Sequence, residues 1–134
     1  MKKTLKEIYG WDYIDKPDTS LLKHVNAVLS KTPDELNVDD VCMLIRQEMF
    51  LDISIPLAIK MIEENHSAGD YYDYCLLVNL SKMDSPLIQY GDSILKLVTV
   101  LENDFKGIEF ELESDKDDYL ESIERLKEKV NNHN

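Results

Sequence analysis

Three histidines, two cysteines and four adjacent acid pairs are the residues of this chain that chemistry would draw on. A zinc site needs His or Cys ligands at short, regular spacing. His24, His66 and His133 have no His or Cys partner at such spacing. His24, beside Lys23 and near Asn26, reads as a surface residue, His66 as a turn residue and His133 as part of the tail. A reactive cysteine needs its thiolate stabilised by a nearby base or cation. Cys42 and Cys75 sit among apolar residues instead, so both are expected to be buried and reduced, and pairing of either with His66 is disfavoured. Two cysteines so far apart are neither a disulfide framework nor a CxxC site. The acid pairs Asp34/Glu35, Asp39/Asp40, Glu63/Glu64 and Asp117/Asp118 raise glycosidase or Mg²⁺ chemistry. Adjacent residues on a helix, however, point about 100° apart and do not converge on one substrate. Asp39 and Asp40 also have a capping and dipole role open to them. GxSxG, HExxH, GxGxxG, Walker and DxDxDG patterns are all missing. The expectation is a protein with no catalytic residues, no metal site and no cofactor.

One string does suggest a function. Asp70-Tyr71-Tyr72-Asp73-Tyr74 interleaves three tyrosines with acids just after a glycine, and Glu63 and Glu64 precede it closely. Tyrosine offers large contact area at low entropic cost, and aspartate meets Lys or Arg, so the composition is that of a protein interface. At least one of the three tyrosines is expected to pack inward. The wider charge distribution points the same way. The chain has 15 Lys+Arg against 27 Asp+Glu, a net charge of -12. Residues 1–31 are slightly basic, whereas 32–101 and 102–134 are strongly acidic. Such a surface repels nucleic acid and anionic lipid and attracts a basic partner, although many cytoplasmic proteins are acidic for solubility alone.

The elements that would hold these residues follow helical spacing. Thr4 with Glu7 reads as a capping box for a short helix ending at Gly10. Residues 10–20 read as a loop pinned by Trp11 and Tyr13. Ser20 is expected to cap a second helix carrying Leu21, Leu22, Val25, Val28 and Leu29 on one face. Asn37 caps a third, with Val38, Val41, Cys42, Ile45 and Met49 as its buried stripe. After a junction at 50–53, Pro56 suits the first turn of a fourth helix, lined inside by Ile55, Ala58, Ile59 and Ile62. Residues 71–80 read as a short buried helix, and Ser85 as a cap for a long one marked by Tyr90, Ile94, Leu97, Val98 and Leu101. A last helix from Ser114 or Asp115 carries Tyr119, Ile123, Leu126 and Val130. The predicted fold is therefore all-α: one compact domain over 1–134, of six to seven helices. Two helix-turn-helix units in the middle invite comparison with a small solenoid. Length and a hydrophobic content of 43% suffice for a real core. No apolar run approaches a membrane span, and the basic start lacks the apolar stretch of a secretory signal, which predicts a cytoplasmic protein.

Residues 108–113 depart from helical period. Ile108-Glu109-Phe110-Glu111-Leu112-Glu113 alternates as a strand does, but no partner strand is visible. The expectation is an extended connector with Ile108, Phe110 and Leu112 inward, leaving Glu109, Glu111 and Glu113 as a second-choice interface.

Five blocks in order resemble a known family. They are Leu5-Lys6-Glu7-Ile8 with Gly10-Trp11; Thr32-Pro33-Asp34-Glu35-Leu36-Asn37-Val38-Asp39-Asp40-Val41 with Leu44-Ile45-Arg46-Gln47; Ile55-Pro56-Leu57-Ala58-Ile59; Glu63-Glu64-Asn65; and Gly69-Asp70-Tyr71-Tyr72 before Leu76-Leu77. Together they resemble the all-helical immunity proteins of bacterial contact-dependent growth inhibition (CDI) systems. The similarity does not reach the stretch from Phe105 onward. The resemblance implies a bacterial cytoplasmic protein, itself without enzymatic activity, that binds and neutralises a cognate toxin C-terminal domain delivered by a neighbouring cell. Many such toxins are nucleases, often acting on tRNA, so the implied partner is basic and the implied complex 1:1, with no direct contact to nucleic acid or membrane. It transfers no contact residues. The candidate toxin-binding residues, Glu63, Glu64, Asp70, Tyr71, Tyr72, Asp73 and Tyr74, rest on local composition. The rival readings are a helical adaptor for a basic host protein, and a carboxylate-metal enzyme whose acids converge only in the fold.

Overall fold

Thr4 and Glu7 cap each other reciprocally, and Gly10 ends the first helix in the left-handed conformation, so α1 spans Leu5–Tyr9. The computed structural model describes residues 2–131. Beyond α1 it contains α2 (Ser20–Leu29), α3 (Val38–Arg46), α4 (Leu51–Glu64), α5 (Cys75–Ser81), α6 (Gly91–Asp104) and α7 (Glu113–Asn131), with single 3-10 turns at Pro33–Glu35, Ile88–Tyr90 and Phe105–Gly107. No strand occurs among the described residues. From α3 onward the substantial packing joins helices one or two places apart in chain order: α3 with α4 and α5, α4 with α5 and α6, and α7 with α5 and α6. This is the neighbour pattern of stacked helix pairs, here closed around one continuous core.

The expected inner faces of α4, α6 and α7 are buried: Ile55, Ala58, Ile59 and Ile62; Ile94, Leu97, Val98 and Leu101; Tyr119, Ile123, Leu126 and Val130. The buried face of helix α3 differs from its predicted stripe: Val38 is half-buried, and Met49 is half-buried and lies beyond the helix end. All of Val41, Cys42, Met43, Leu44 and Ile45 are inside, because α4 and α5 cover it from two sides. Asn37 caps it with Asp40 completing the box. Asp40 is also buried, and it accepts from Lys31 Nζ at 2.6 Å and meets His24 Nε2 at 2.7 Å. Burial opposes its charge. Hydrogen bonds from Lys31, the Asn37 N–H and His24 outweigh burial and hold the carboxyl below the usual carboxylate range. His24 is thus a half-buried structural partner rather than a free surface residue.

Several boundaries differ from the sequence expectation, each for a physical reason. Thr19, not Ser20, caps α2, its hydroxyl accepting from Leu22 N at 3.1 Å, and Leu21 points outward. Helix α4 starts at Leu51, without a polar cap. Phe50 is in the left-handed region (φ 51°), held there by ring contacts with Tyr9 at 4.2 Å and Trp11 at 5.0 Å. Pro56 therefore lies in the second turn, where its missing N–H removes the helix hydrogen bond to the Asp52 carbonyl. Ser85 caps nothing. Its N–H and hydroxyl, with the Asp84 N–H, donate to the carboxylate of Glu48. Residues 71–74 form turns outside α5. Trp11 and Tyr13 do tie the 10–20 loop down, Tyr13 through Ser30 Oγ at 2.8 Å, while both stay largely exposed.

Candidate functional site

Cys42 and Cys75 are free and buried, as their apolar flanks suggested. Burial pushes the Cys42 thiol up to about 12, with Asp70 and Cys75 adding to the effect, which removes it as a nucleophile. His66 pairs with neither cysteine. Its Nδ1 lies 2.6 Å from the Ile62 carbonyl and its Nε2 2.8 Å from Asp104. His133 lies outside the described residues. Among the described residues no group of three or more His, Cys, Asp or Glu side chains could hold a metal ion.

The Tyr/Asp string is built as a locked turn. Tyr74 N–H donates to the Ser67 carbonyl at 2.9 Å, Cys75 N–H to Tyr72 at 3.2 Å and Leu76 N–H to Ala68 at 3.1 Å. Tyr74 has φ 68°, a costly conformation for an aromatic residue. Burial of its ring, edge-on to Tyr119 at 5.6 Å and 5.5 Å from Phe110, holds it there. Tyr74 is therefore the inward-packing tyrosine of the three. Tyr71 and Tyr72 remain 79% and 48% exposed, and Asp73 is exposed.

Asp70 is engaged within the chain. Arg46 grips it bidentately, Nη1 to Oδ1 at 2.9 Å and Nη2 to Oδ2 at 2.7 Å, and the Tyr71 N–H adds a third bond at 2.9 Å. Burial works against the Asp70 charge, but Arg46 and the Cys75 thiol hold its carboxyl below the ordinary range. The same guanidinium lies 4.6 Å from the centroid of the Tyr71 ring, so one residue both neutralises Asp70 and steadies an exposed tyrosine. Replacing Arg46 with alanine strands a nearly buried carboxylate and is expected to cost about 2 kcal/mol, reduced from the range for fully buried pairs because Arg46 is partly exposed. Arg46→Lys should keep the charge but lose the fork, with an intermediate loss in urea unfolding. Equal stability of all three proteins would show that the pair is dispensable.

The second-choice segment sits beside the first. Phe110 touches Tyr74, and Ile108 lines the same groove as Glu63, Glu64, His66, Tyr74 and Asp104. Residues 108–112 are an extended connector with Ile108 and Phe110 half-buried and Glu109 and Glu111 exposed. Leu112, expected inside, is 59% exposed because the chain turns there into α7, whose first residue is Glu113. Glu63 and Glu64 end α4 with no cation in its last turn, against the preference of the helix dipole.

The sequence reading named Asp118 only in an acid pair and Asp115 only as a possible helix start, and placed neither in the interface, although they stand at i, i+3 on one face of α7. Asp73, Asp118 and Glu111 act electrostatically on Asp115, which joins the Tyr/Asp turn, the connector and the start of α7 into one acidic, aromatic surface. The cations of α7 lie elsewhere: Lys116 is over Phe105, Arg125 beside Glu121, Lys127 beside Glu102 and Glu124, and Lys129 donates to the Met83 carbonyl. No ion pair among the described residues reaches Asp73, Glu111, Asp115 or Asp118.

No helix among the described residues is long and apolar enough to cross a membrane. A search of curated proteins found no match. The profile of the CDI immunity proteins, which inhibit toxins without catalysis of their own, matches residues 7–98, from α1 into α6. With well over half of its length matched, and with the all-helical fold the five sequence blocks implied, this chain belongs to the CDI immunity proteins.

Proposed function

We propose that the protein neutralises a basic nuclease toxin domain, for which a tRNase is a fitting case, in the cytoplasm as a 1:1 complex. The acidic, aromatic surface of Tyr71, Tyr72, Asp73, Glu111 and Asp118 would cover the toxin's phosphate-binding groups. The observation that carries this reading is that no ion pair among the described residues reaches Asp73, Glu111 or Asp118, beside two exposed tyrosines. A nuclease must present Lys and Arg to hold phosphates, so an acidic cover competes with RNA or DNA by charge and by bulk. Glu63, Glu64 and Glu109, around the neighbouring groove, would form the rim. Family membership favours this over the adaptor reading.

The test is to mix the protein with the toxin domain encoded beside its gene. A tight 1:1 complex and loss of toxin activity are expected. Association should slow as salt rises, because attraction between surface charges is screened over ~8 Å at physiological ionic strength. Tyr72→Ala with Asp73→Lys should weaken binding while leaving the unfolding transition in place. Toxicity that persists at saturating protein would falsify the neutralising role, and association indifferent to salt would remove the charge mechanism.

A further inference from the structure

A cavity of about 660 Å³ opens between the end of α5, the loop after it and the last turns of α7. Lys82, Arg125 and Lys129 line it, against Asp84 and Glu128. That is a local excess of cations in a chain whose net charge is -12. Its frame is fixed from behind. Arg125 Nε donates to Ser81 Oγ at 3.0 Å and Arg125 Nη2 to Ser122 Oγ at 3.3 Å, and both serines are fully buried. Ser81 in turn donates to the Val78 carbonyl at 2.8 Å. Glu48 holds the loop by accepting from the Asp84 and Ser85 N–H groups and the Ser85 hydroxyl, and Lys129 holds it by donating to the Met83 carbonyl. Glu121 stands 3.6 Å from Arg125 Nη1, beyond hydrogen-bond reach and outside the lining. The guanidinium therefore keeps N–H donors to spare. The helix dipoles account for Lys82 and Lys129, which stand at the C-terminal ends of α5 and α7. They do not account for Arg125, which lies more than a turn before the end of α7.

We infer that this cavity is a receptor for one carboxylate of the toxin, a Glu or Asp side chain on a protruding segment, with Arg125 as the fork that grips it and Lys82 as the cation at the mouth. This rests on the toxin-binding reading and deepens it by adding a contact of opposite polarity to the acidic surface. The charge of the lining selects the anion. Three cations against two acids leave one positive charge over, which matches a carboxylate and falls short of a phosphate dianion. The size selects what carries the anion. A cavity of about 660 Å³ exceeds a lone ion and admits the stretch of chain that bears the carboxylate. The position selects the partner. Tyr74, just before α5, lies 5.6 Å from Tyr119 on α7, and Ser81, at the other end of α5, lies 3.0 Å from Arg125. Helix α5 thus runs along α7 in the same direction, which puts the cavity about 10 Å from the Tyr/Asp turn at ~1.5 Å rise per residue. One partner covering a standard ~800 Å² reaches both. An acidic and a basic patch in one interface fix the toxin's orientation, because a reversed approach sets like charges together.

The sign of one charge change tests this. Lys82 is exposed and in no ion pair among the described residues, so Lys82→Glu should melt like wild type. Added negative charge favours a basic toxin at long range. Without a receptor, Lys82→Glu therefore binds the toxin domain encoded beside the gene as well as wild type or better. With it, affinity should fall roughly ten-fold or more. Lys23→Glu makes the same charge change on the exposed side of α2 and should bind within about two-fold of wild type. Arg125→Lys keeps the charge but loses the fork, and its complex should dissociate roughly ten-fold faster. Replacing the toxin's Glu and Asp residues by Lys one at a time should yield one change that weakens binding to wild type and restores it to Lys82→Glu. If wild type binds and neutralises while Lys82→Glu and Arg125→Lys bind like wild type, the receptor is refuted and the neutralising function stands. If wild type neither binds nor neutralises, both fail. Equal weakening by Lys23→Glu would refute the site in favour of overall charge. Inorganic phosphate and acetate, titrated into the free protein while the Arg125 Nε–H resonance is followed, separate the anions. A saturable shift with phosphate, together with unimpaired toxin binding by Lys82→Glu, would overturn the toxin carboxylate in favour of a free phosphate. A lower melting temperature for Arg125→Lys with wild-type dissociation would make Arg125 only a strut between α5 and α7.

Discussion

Replacing Tyr119 with alanine is expected to destabilise the protein by about 4 kcal/mol, enough to put a marginal domain near its unfolding threshold. Tyr119 is fully buried on α7 and is the hub of the aromatic cluster. Its ring lies 5.4 Å from Phe110, 5.6 Å from Tyr74 and 6.0 Å from Phe105, and its hydroxyl donates to the Leu101 carbonyl on α6. These contacts join the Tyr/Asp turn, α6 with the 3-10 turn after it, the connector and α7, so the alanine variant leaves a cavity where these segments meet. Tyr119→Phe keeps the rings and loses only the hydroxyl, for about 1 kcal/mol. Urea unfolding of the two variants separates packing from hydrogen bonding. A loss below about 2 kcal/mol for alanine would mean that the cluster repacks, which dense interiors do only in part. Toxin binding should also weaken for alanine, because Asp115 and Asp118 ride on the same helix.

Gly69→Ala is expected to be the other large effect, at about 2–3 kcal/mol. A Cβ at this position would lie 2.2 Å from the Tyr72 carbonyl oxygen, 2.6 Å from Cys75 Cβ and 2.9 Å from Cys75 N. Two of those atoms are backbone, so the turn itself must open. The glycine is thus required for close approach rather than for an unusual dihedral angle. Opening the turn displaces Tyr71, Tyr72 and Asp73, and toxin affinity should fall by more than the stability loss implies. Gly107→Ala is the matched control, since a Cβ there meets nothing within 4 Å. A Gly69→Ala protein with wild-type unfolding and wild-type binding would show that the turn is not the rigid platform described above.

The helices were legible in the sequence where local chemistry decides them. Thr4 with Glu7 and Asn37 with Asp40 announce helix starts through side chains that reach only three residues. The apolar period of α4, α6 and α7 likewise locates their inner faces. The errors cluster where distant contacts decide. Phe50 and Tyr74 take left-handed backbones that no local propensity favours, because aromatic partners far along the chain hold their rings. The beginnings of α4 and α5 moved accordingly. In the candidate surface, composition marked the tyrosines and acids, but not which were free. Asp70 answers to Arg46, 24 residues away, and Tyr74 turns inward only once α7 brings Tyr119 against it.

The family resemblance ends at residue 98, inside α6, yet α7 packs against both α5 and α6 and supplies Tyr119 to the core. If the acids of α7 meet the toxin as proposed, recognition and architecture are entangled in the last third of the chain. A foreign tail grafted onto the shared block would then also need rings complementary to Tyr74 and to α6, so that diversification of those acids would proceed around a fixed aromatic keel.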